Sequence, residues 1–376
     1  MRGATRNPHN RYHAHRRVAV PELMDDPGDD WDEHFARADK TRYVLTHPKT
    51  ILNRITSPDL RGEWGLNPYQ GCEHGCAYCF ARNTHNYWGY SAGQDFERVI
   101  LVKRNAVALL DAALSKPSWR ASPLMVSGNT DCYQPVERVE RLTRGILELC
   151  ARYRHPVGLI TKNRLILRDL DLLADLARDG LVHVAVSITT LDDTLRRTLE
   201  PRTATPAQRL RVIRELSAAG VPVRAMIAPV IPGLTDHEIL DIARAATDAG
   251  ARAIGYTVVR LNGDVGEIFG EWARTHYPER AERILNRIRD CHGGRLNDSR
   301  WGTRQKGEGA YAKSIADRIR LARRRFLPAD TAAAAAAAEP ALGAVGPART
   351  AVTQSDLPPY NTTLFERHRP GQRRLF

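Results

Sequence analysis

Three cysteines, Cys72, Cys76 and Cys79, lie within eight residues of the segment NPYQGCEHGCAYCFAR, in a C-x3-C-x2-C pattern. A closed zinc site takes four ligands, usually as two short knuckles separated by a longer span. Here His74 is the only local candidate for a fourth ligand, and CHGG at 291–294 is a weak substitute for a second knuckle. Iron–sulfur clusters also use thiolates at such short spacings. A cluster held by three cysteines leaves one iron open, and open coordination belongs to catalytic rather than structural metals.

The elements that must position this loop repeat regularly. PLMVSG (123–128), VGLITK (157–162), VHVAVSITT (182–190), VPVRAMIAPVI (221–231) and ARAIGYTVVRL (251–261) are short, β-branched apolar runs, as expected of strands buried on both faces. Between them Leu, Ile and Ala recur at helical spacing, with Gly180, Gly220 and Gly250 as C-terminal stops and Pro206 at a helix start. One more strand near EWGLNPYQ and a helix near RNAVALLDAAL complete about six βα units. The alternation predicts a parallel sheet, doubly wound or a partial barrel, with ligands at the C-terminal strand ends.

The chain has 376 residues, 42% hydrophobic and 26% charged, which reads as globular. No apolar run approaches the roughly 20 residues that span a bilayer. MRGATRNPHNRYHAHRR has no apolar stretch after its arginines, so no secretory signal is expected. Clustered thiols beside scattered Cys132, Cys150 and Cys291 suit a reducing compartment, and a cytoplasmic location is expected. A net charge of +13 favours a polyanionic partner, though an arginine-rich genome gives the same bias. The first 20 residues carry five arginines and no acid, residues 21–39 carry eight acids, and 331–376 are rich in Ala and Pro. These ends read as a solvated arm and a flexible tail.

CEHGCAYCF, with an aromatic before the last cysteine, resembles the radical S-adenosylmethionine (radical SAM) superfamily. NTDCYQPVERVERLTRGILE, GLITKN, VAVSITTLD, TLEPRTATPAQRL and APVIPGLTDHEI extend the likeness, over roughly residues 1–325, to the bacterial subgroup related to spore photoproduct lyase, often described as DNA repair photolyases. The resemblance implies a partial (β/α)6 TIM-type barrel with the cluster loop after the first strand. It divides the chain into an N-terminal extension (1–55), a radical SAM core (56–327) and a low-complexity tail (328–376). It implies a 4Fe-4S cluster on Cys72, Cys76 and Cys79, with S-adenosylmethionine on the open iron and a 5′-deoxyadenosyl radical as the product of its reductive cleavage. A flavodoxin or ferredoxin would supply the electron.

The same resemblance carries cofactor contacts onto this chain. Tyr78 falls near the adenine, and Asn129, Thr130 and Asp131 at the second strand's end are candidates for the methionine amino group, although no GGE-like stretch follows that strand. Lys162 matches a carboxylate contact and Ser187 a ribose contact; Val230 and Ile231 flank the adenine, as does Tyr256. Cys132 is a candidate hydrogen-atom donor, imperfectly placed in TDCYQP. On the residues alone, GNTD also reads as a turn and helix cap, Lys162 as a solvated lysine, Ser187 as a small strand residue and Cys132 as an inert buried thiol. Glu200 and Arg202 in LEPRTATP either close over the cofactor or cap the next helix. Cys150 reads as core.

For a substrate, positive charge and the aromatics Tyr87, Trp88 and Tyr90 near the loop favour nucleic acid, DNA in repair above all. RNA, a peptide or a small metabolite is the alternative, and a metal-stabilised nucleic-acid-binding module without catalysis is a third reading. The last residues, QRRLF, resemble the sliding-clamp-binding peptide Q-x-x-L-F, with Gln372, Leu375 and Phe376 as anchors; TTLF at 362–365 is a weaker echo.

Overall fold

The computed structural model describes residues 3–10, 41–60, 62–328 and 357–368. Its strands are β1 (Arg42–Thr46), β2 (Leu52–Arg54), β3 (Trp64–Leu66), β4 (Tyr69–Gln70), β5 (Val99–Lys103), β6 (Leu124–Val126), β7 (Val157–Thr161), β8 (Val182–Ser187), β9 (Val223–Val230) and β10 (Ala253–Val258). The longer helices are α1 (Ala106–Leu114), α2 (Leu142–Tyr153), α3 (Leu170–Arg178), α4 (Asp193–Leu199), α5 (Pro206–Ala218), α6 (Ile239–Asp248), α7 (Val265–His276), α8 (Ala281–Asp290) and α9 (Gly309–Phe326).

The main sheet runs β10-β9-β8-β7-β6-β3-β2. The six strands from β3 to β10 are parallel, and only β2 pairs antiparallel, at the edge. Strands that follow one another across a helix are neighbours in this sheet, so the expected six-unit partial barrel forms and stays open. Burial on both faces holds: β8 is all buried except Ala185. Its Val182, Val184 and Val186 share one core with Ile146 of α2, Leu173 of α3, Ile213 of α5, Ile242 of α6 and Ile315 of α9.

Local chemistry explains the boundaries. Pro206 opens α5 behind a reciprocal capping box between Thr205 and Gln208. Gly180, Gly220 and Gly250 all take positive φ after their helices, as expected of left-handed stops. The single strand expected over EWGLNPYQ is two strands in different sheets. Pro68, which has no amide proton to donate, interrupts the run. β3 stays in the barrel, while β4 turns into a second sheet of order β1-β5-β4. Val99–Lys103 is the centre of that sheet, and Phe96 just before it accepts the amide of Cys72.

Where they are described, the two ends of the chain are seated on the body, in place of the loose ends expected there. Gly3, Ala4 and Asn10 are buried. At the other end Asn361 donates its amide to Gly180 O (2.9 Å) and Glu366 to Tyr153 O (2.9 Å). Tyr360 lies on His183, with ring centres 3.9 Å apart, and Phe365 stacks on Tyr153. This segment covers the N-terminal ends of β7 and β8, the floor of the barrel. No helix among the described residues is long and apolar enough to cross a membrane.

Candidate active site

The cysteine loop leaves β4 and lies across the C-terminal ends of the parallel strands. Cys72 donates its amide to Phe96 O (2.9 Å), Ala77 donates to Leu199 O (3.0 Å) at the end of α4, and Cys79 to Cys76 O (3.3 Å). Gly75 sits between the first two cysteines at φ 67°, and a Cβ there would come within 2.8 Å of Glu97 Oε2, so the turn requires glycine in both conformation and space. Cys76, Ala77 and Tyr78 share an apolar cluster with Leu195 and Leu199 of α4, with Ile231 just after β9 and with Val259 just after β10. The loop is thus fitted to several strand ends at once.

All three thiols are free; Cys72 and Cys76 are buried and Cys79 is half-buried. Burial raises each thiol's pKa. For Cys72 the nearby Asp131, Cys76 and Cys79 push further in the same direction, so the three sulfurs sense one another electrostatically. Such thiols must lose their protons to bind a metal, and positive iron supplies the compensating charge.

His74, the local candidate for a fourth ligand, is committed elsewhere. It is buried, its Nδ1 lies 3.4 Å from Asp131 Oδ2, and its Nε2 is 3.0 Å from Asn163 Nδ2. A neutral ring with Nδ1–H facing Asp131 and Nε2 accepting from Asn163 satisfies both contacts, and burial lowers its pKa. Among the described residues no three Cys, His, Asp or Glu side chains converge on a point that would hold a single ion. The donor set, three soft thiols and no fourth, fits an iron–sulfur cluster with one thiolate on each of three irons. Cys72, Cys76 and Cys79 would hold it.

The strand ends supply the polar neighbours, in roles that differ from one another. Asp131, after β6, accepts from Tyr133 N (2.9 Å), Thr161 Oγ1 (2.8 Å) and Lys162 N (2.8 Å) besides facing His74. It is a bracket tying β6 to β7 and to the loop, with little capacity left for a ligand's ammonium. Thr130 is also internal, donating to Tyr69 O (2.8 Å). Asn129 is partly exposed; its amide donates to Asn67 Oδ1 (2.9 Å) and its Nδ2 makes a long 3.5 Å contact to Thr84 Oγ1. Lys162 extends over the Tyr78 ring, with Nζ 5.9 Å from its centre. Its positive charge opposes the burial that raises the Cys76 and Cys79 thiols.

Tyr78 is buried and its hydroxyl donates to Glu200, which also accepts from Thr189 Oγ1 (2.8 Å) and from Arg209. Arg209 of α5 is buried and further donates to Ser187 O (3.0 Å) and Ala204 O (2.9 Å). Burial alone would raise the Glu200 carboxyl, but Arg209, Lys162 and the Tyr78 hydroxyl outweigh it and bring it to about 2. Glu200 is therefore ionised and fixed, holding the ring of Tyr78 in place from behind. Arg202 instead reaches Glu73 (3.0 Å).

The remaining candidates divide. Ile231 is buried in the loop's own apolar cluster, and Ser187 is buried on β8 with its carbonyl on Arg209. Val230 and Tyr256 belong to the sheet–helix core, and Tyr256 has Lys306 Nζ 5.9 Å from its ring centre. Cys132 is fully buried in the same core, its amide on Ser127 Oγ (2.9 Å), and burial raises its thiol well above the ordinary value. A thiol so placed stays protonated and shielded. Cys150 is core, as expected. Asn163, Thr189 and Arg209 were not singled out from sequence. A buried arginine on an amphipathic helix carries no spacing signal even when its carboxylate partner, here Glu200, is close in sequence, while Asn163 and Thr189 reach His74 and Tyr78 far away in the chain.

Residues 66–246, from β3 through most of α6, match the model of the radical SAM superfamily. An uncharacterised protein of Mycobacterium tuberculosis strain H37Rv is 38% identical over 247 residues, covering 65% of this chain and 72% of that protein. One from Methanocaldococcus jannaschii is 28% identical over 249 residues, covering 66% of this chain and 88% of its own. Among solved structures, spore photoproduct lyase complexed with dinucleoside spore photoproduct superposes with a TM-score of 0.54 at 14% identity, covering 76% of this chain and 80% of that one. Another of spore photoproduct lyase, with bound AdoMet and dinucleoside spore photoproduct, gives 0.52 at 15% identity over the same shares. These two establish the shared open-barrel fold. With the family match spanning the thiol loop and the strand ends beneath it, the chain belongs to the radical SAM superfamily and is a radical SAM enzyme.

Proposed function

We propose that Cys72, Cys76 and Cys79 bind a 4Fe-4S cluster, that S-adenosylmethionine occupies the iron they leave open, and that the enzyme acts on damaged DNA. The observation that carries the reading is the three-thiol loop whose local candidate for a fourth ligand, His74, is held between Asp131 and Asn163. When bound, the cluster supplies one electron that splits the sulfonium and yields a 5′-deoxyadenosyl radical. The chain's own residues bind and orient. Lys162 suits the methionine carboxylate, and Asn129, with polar capacity to spare, suits the methionine amino group better than the committed Asp131. The Tyr78 ring, fixed through Glu200, and Ile231 offer apolar surface for the adenine.

Three features support DNA as the substrate. The chain carries +13 net charge. Phe80, Tyr87 and Trp88, on the 3-10 stretch directly after Cys79, are exposed, as stacking on an extruded base requires. The solved relatives of this fold include a lyase holding a dinucleoside photoproduct. We place the enzyme in the cytoplasm, reduced by a flavodoxin or ferredoxin. The clamp-like anchors Gln372, Leu375 and Phe376 lie outside the described residues; we propose that they tether the enzyme to a sliding clamp, and deleting 372–376 should abolish clamp binding. The main test is anaerobic reconstitution with iron and sulfide, then 5′-deoxyadenosine release under reduction with and without irradiated DNA. Release stimulated by irradiated and not by intact DNA is expected; no binding at low salt and no stimulation would overturn the substrate assignment.

A further inference from the structure

The cysteine loop is held from outside by a buried ion pair that is completed by the chain's first residues. Arg82 has no exposed surface and uses all five of its donors. Nε donates to Cys76 O (2.9 Å), one terminal nitrogen to Ala92 O (3.1 Å) and Gly93 O (2.9 Å), and the other to Gly75 O (3.1 Å) and the Glu97 carboxylate. The guanidinium therefore holds two consecutive carbonyls lying between the first and third cysteines. Glu97, equally buried, neutralises it and in turn accepts the amides of Gly3 (3.0 Å) and Ala4 (2.8 Å).

The contact is close. A Cβ at Gly3 would stand 1.6 Å from Gly75 O, so only glycine lets the first residues lie against the loop. They are anchored further on the segment that follows the third cysteine. Asn7 and Asp95 exchange hydrogen bonds of 2.8 and 3.0 Å, and Asn10 donates to Asn86 O (2.9 Å) and Tyr90 O (3.1 Å). Two backbone donors on a buried carboxylate stabilise its charged form, and a charge-assisted network in a dry setting is costly to leave half-made.

We infer that residues 3–10 are part of the cluster-binding unit: a strap that, through Glu97 and Arg82, sets the shape of the cysteine loop. Arg82, which acts on loop carbonyls, and Glu97, which acts through Arg82 and the strap amides, are positioning residues. The inference rests on the cluster reading proposed above, and it makes the N-terminal segment, rather than the barrel alone, responsible for keeping the cluster in a defined and protected setting.

Two variants separate this from general stabilisation. Gly3→Ala pushes the strap off Gly75, and Ala4→Pro removes the donor to Glu97 Oε1; both leave Arg82, Glu97 and the thiols in place. After anaerobic reconstitution, iron per chain, the electron paramagnetic resonance spectrum of the reduced cluster with and without S-adenosylmethionine, and the rate of bleaching in air are measured. Both variants should keep the parent's circular dichroism, bleach roughly tenfold faster through local opening of the loop, and show an altered spectrum. Tyr360→Ala, at the floor, serves as the control that lowers the melting temperature without altering the spectrum. Parental spectra and bleaching rates in both strap variants would overturn the inference, as would loss of circular dichroism in both, which would make the strap a general folding element. A parent chain that takes up no iron would instead remove the cluster reading itself.

Discussion

The two ends of the barrel are closed by different physics. At the mouth, the loop is held by buried charges in pairs, Arg82 with Glu97 and Arg209 with Glu200, each saturated by backbone and hydroxyl partners. At the floor, the C-terminal segment is held by rings: Tyr360 on His183, and Phe365 against both Tyr153 and His155. Gly158 leaves the space for this contact, since a Cβ there would come within 2.6 Å of Tyr360 Oη. A buried pair is not the most stabilising way to fill a core, but it is intolerant of losing one partner. The mouth is therefore built for defined geometry, whereas the floor is built for cover and yields in small steps.

That contrast can be broken from the mouth first. Replacing Cys72, Cys76 or Cys79 with Ala should abolish cluster retention, reducing iron per chain to background after reconstitution and desalting, while Cys132→Ala should retain the parent's iron. A three-thiol cluster that survives loss of one thiol would contradict the ligand assignment. Next in size is Glu200→Gln, which leaves Arg209 as an uncompensated buried charge. A loss of about 3–5 kcal/mol is expected by denaturant titration, together with weaker S-adenosylmethionine binding, because Tyr78 loses the acceptor that fixes it. Arg202→Ala, which takes the ion-pair partner from buried Glu73 but leaves it the Thr41 and Tyr43 hydroxyls, should cost about 1–3 kcal/mol. At the floor, Tyr360→Ala should cost about 2 kcal/mol, below a fully enclosed aromatic because the ring is only partly covered. Limited proteolysis should then cut the C-terminal segment earlier, with the cysteine loop unaffected.

What was readable in the sequence tracks how local each device is. The cysteine loop is compact in sequence, and its ligand count alone pointed to an open coordination position. The parallel strands announced themselves as apolar runs, and Pro206 and the three glycines marked their helix boundaries. The second sheet was not readable in the same way. Val99–Lys103 is an apolar run leading straight into a helix, and nothing in it says that it pairs with residues 42–46 and 69–70 instead of joining the barrel. Asp131 shows the limit of residue type as evidence. A carboxylate at a strand end suits an ammonium, yet three close donors and His74 already occupy it, and only the folded arrangement reveals that. The seated ends were missed for a related reason. Residues 3–10 and 357–368 have no periodicity, and they are held by single amides and rings whose partners lie far along the chain.

The smallest expected effect concerns protons at the floor. Burial lowers the pKa of both His155 and His183 to about 4. His155 Nε2 accepts from Trp119 Nε1 (3.1 Å), and its Nδ1 lies 3.0 Å from Pro156 O, so a second proton has no acceptor to meet. His183 lies under Tyr360, and the charge of Arg224 lowers its pKa further. Both groups have folded pKa values below the ordinary histidine value of about 6.5. Between those limits the unfolded chain binds more protons than the folded one, so stability is complete above about 6.5 and falls as pH drops toward about 4. At pH 5.5 the loss should be roughly 1 kcal/mol for each histidine. Because these rings contact the C-terminal segment, the protection of the Asn361 and Glu366 amides, corrected for the slowing of intrinsic exchange in acid, should fall as the pH drops. At the mouth Glu200, whose carboxyl titrates at about 2, is silent over this range, but His74 and His85, whose pKa values burial also lowers, give the mouth an acid response of its own. Unchanged protection of Asn361 and Glu366 in acid would show that the floor does not sense these protons, and His155→Gln, which removes one of the two titrations and keeps an acceptor for Trp119, should flatten the response.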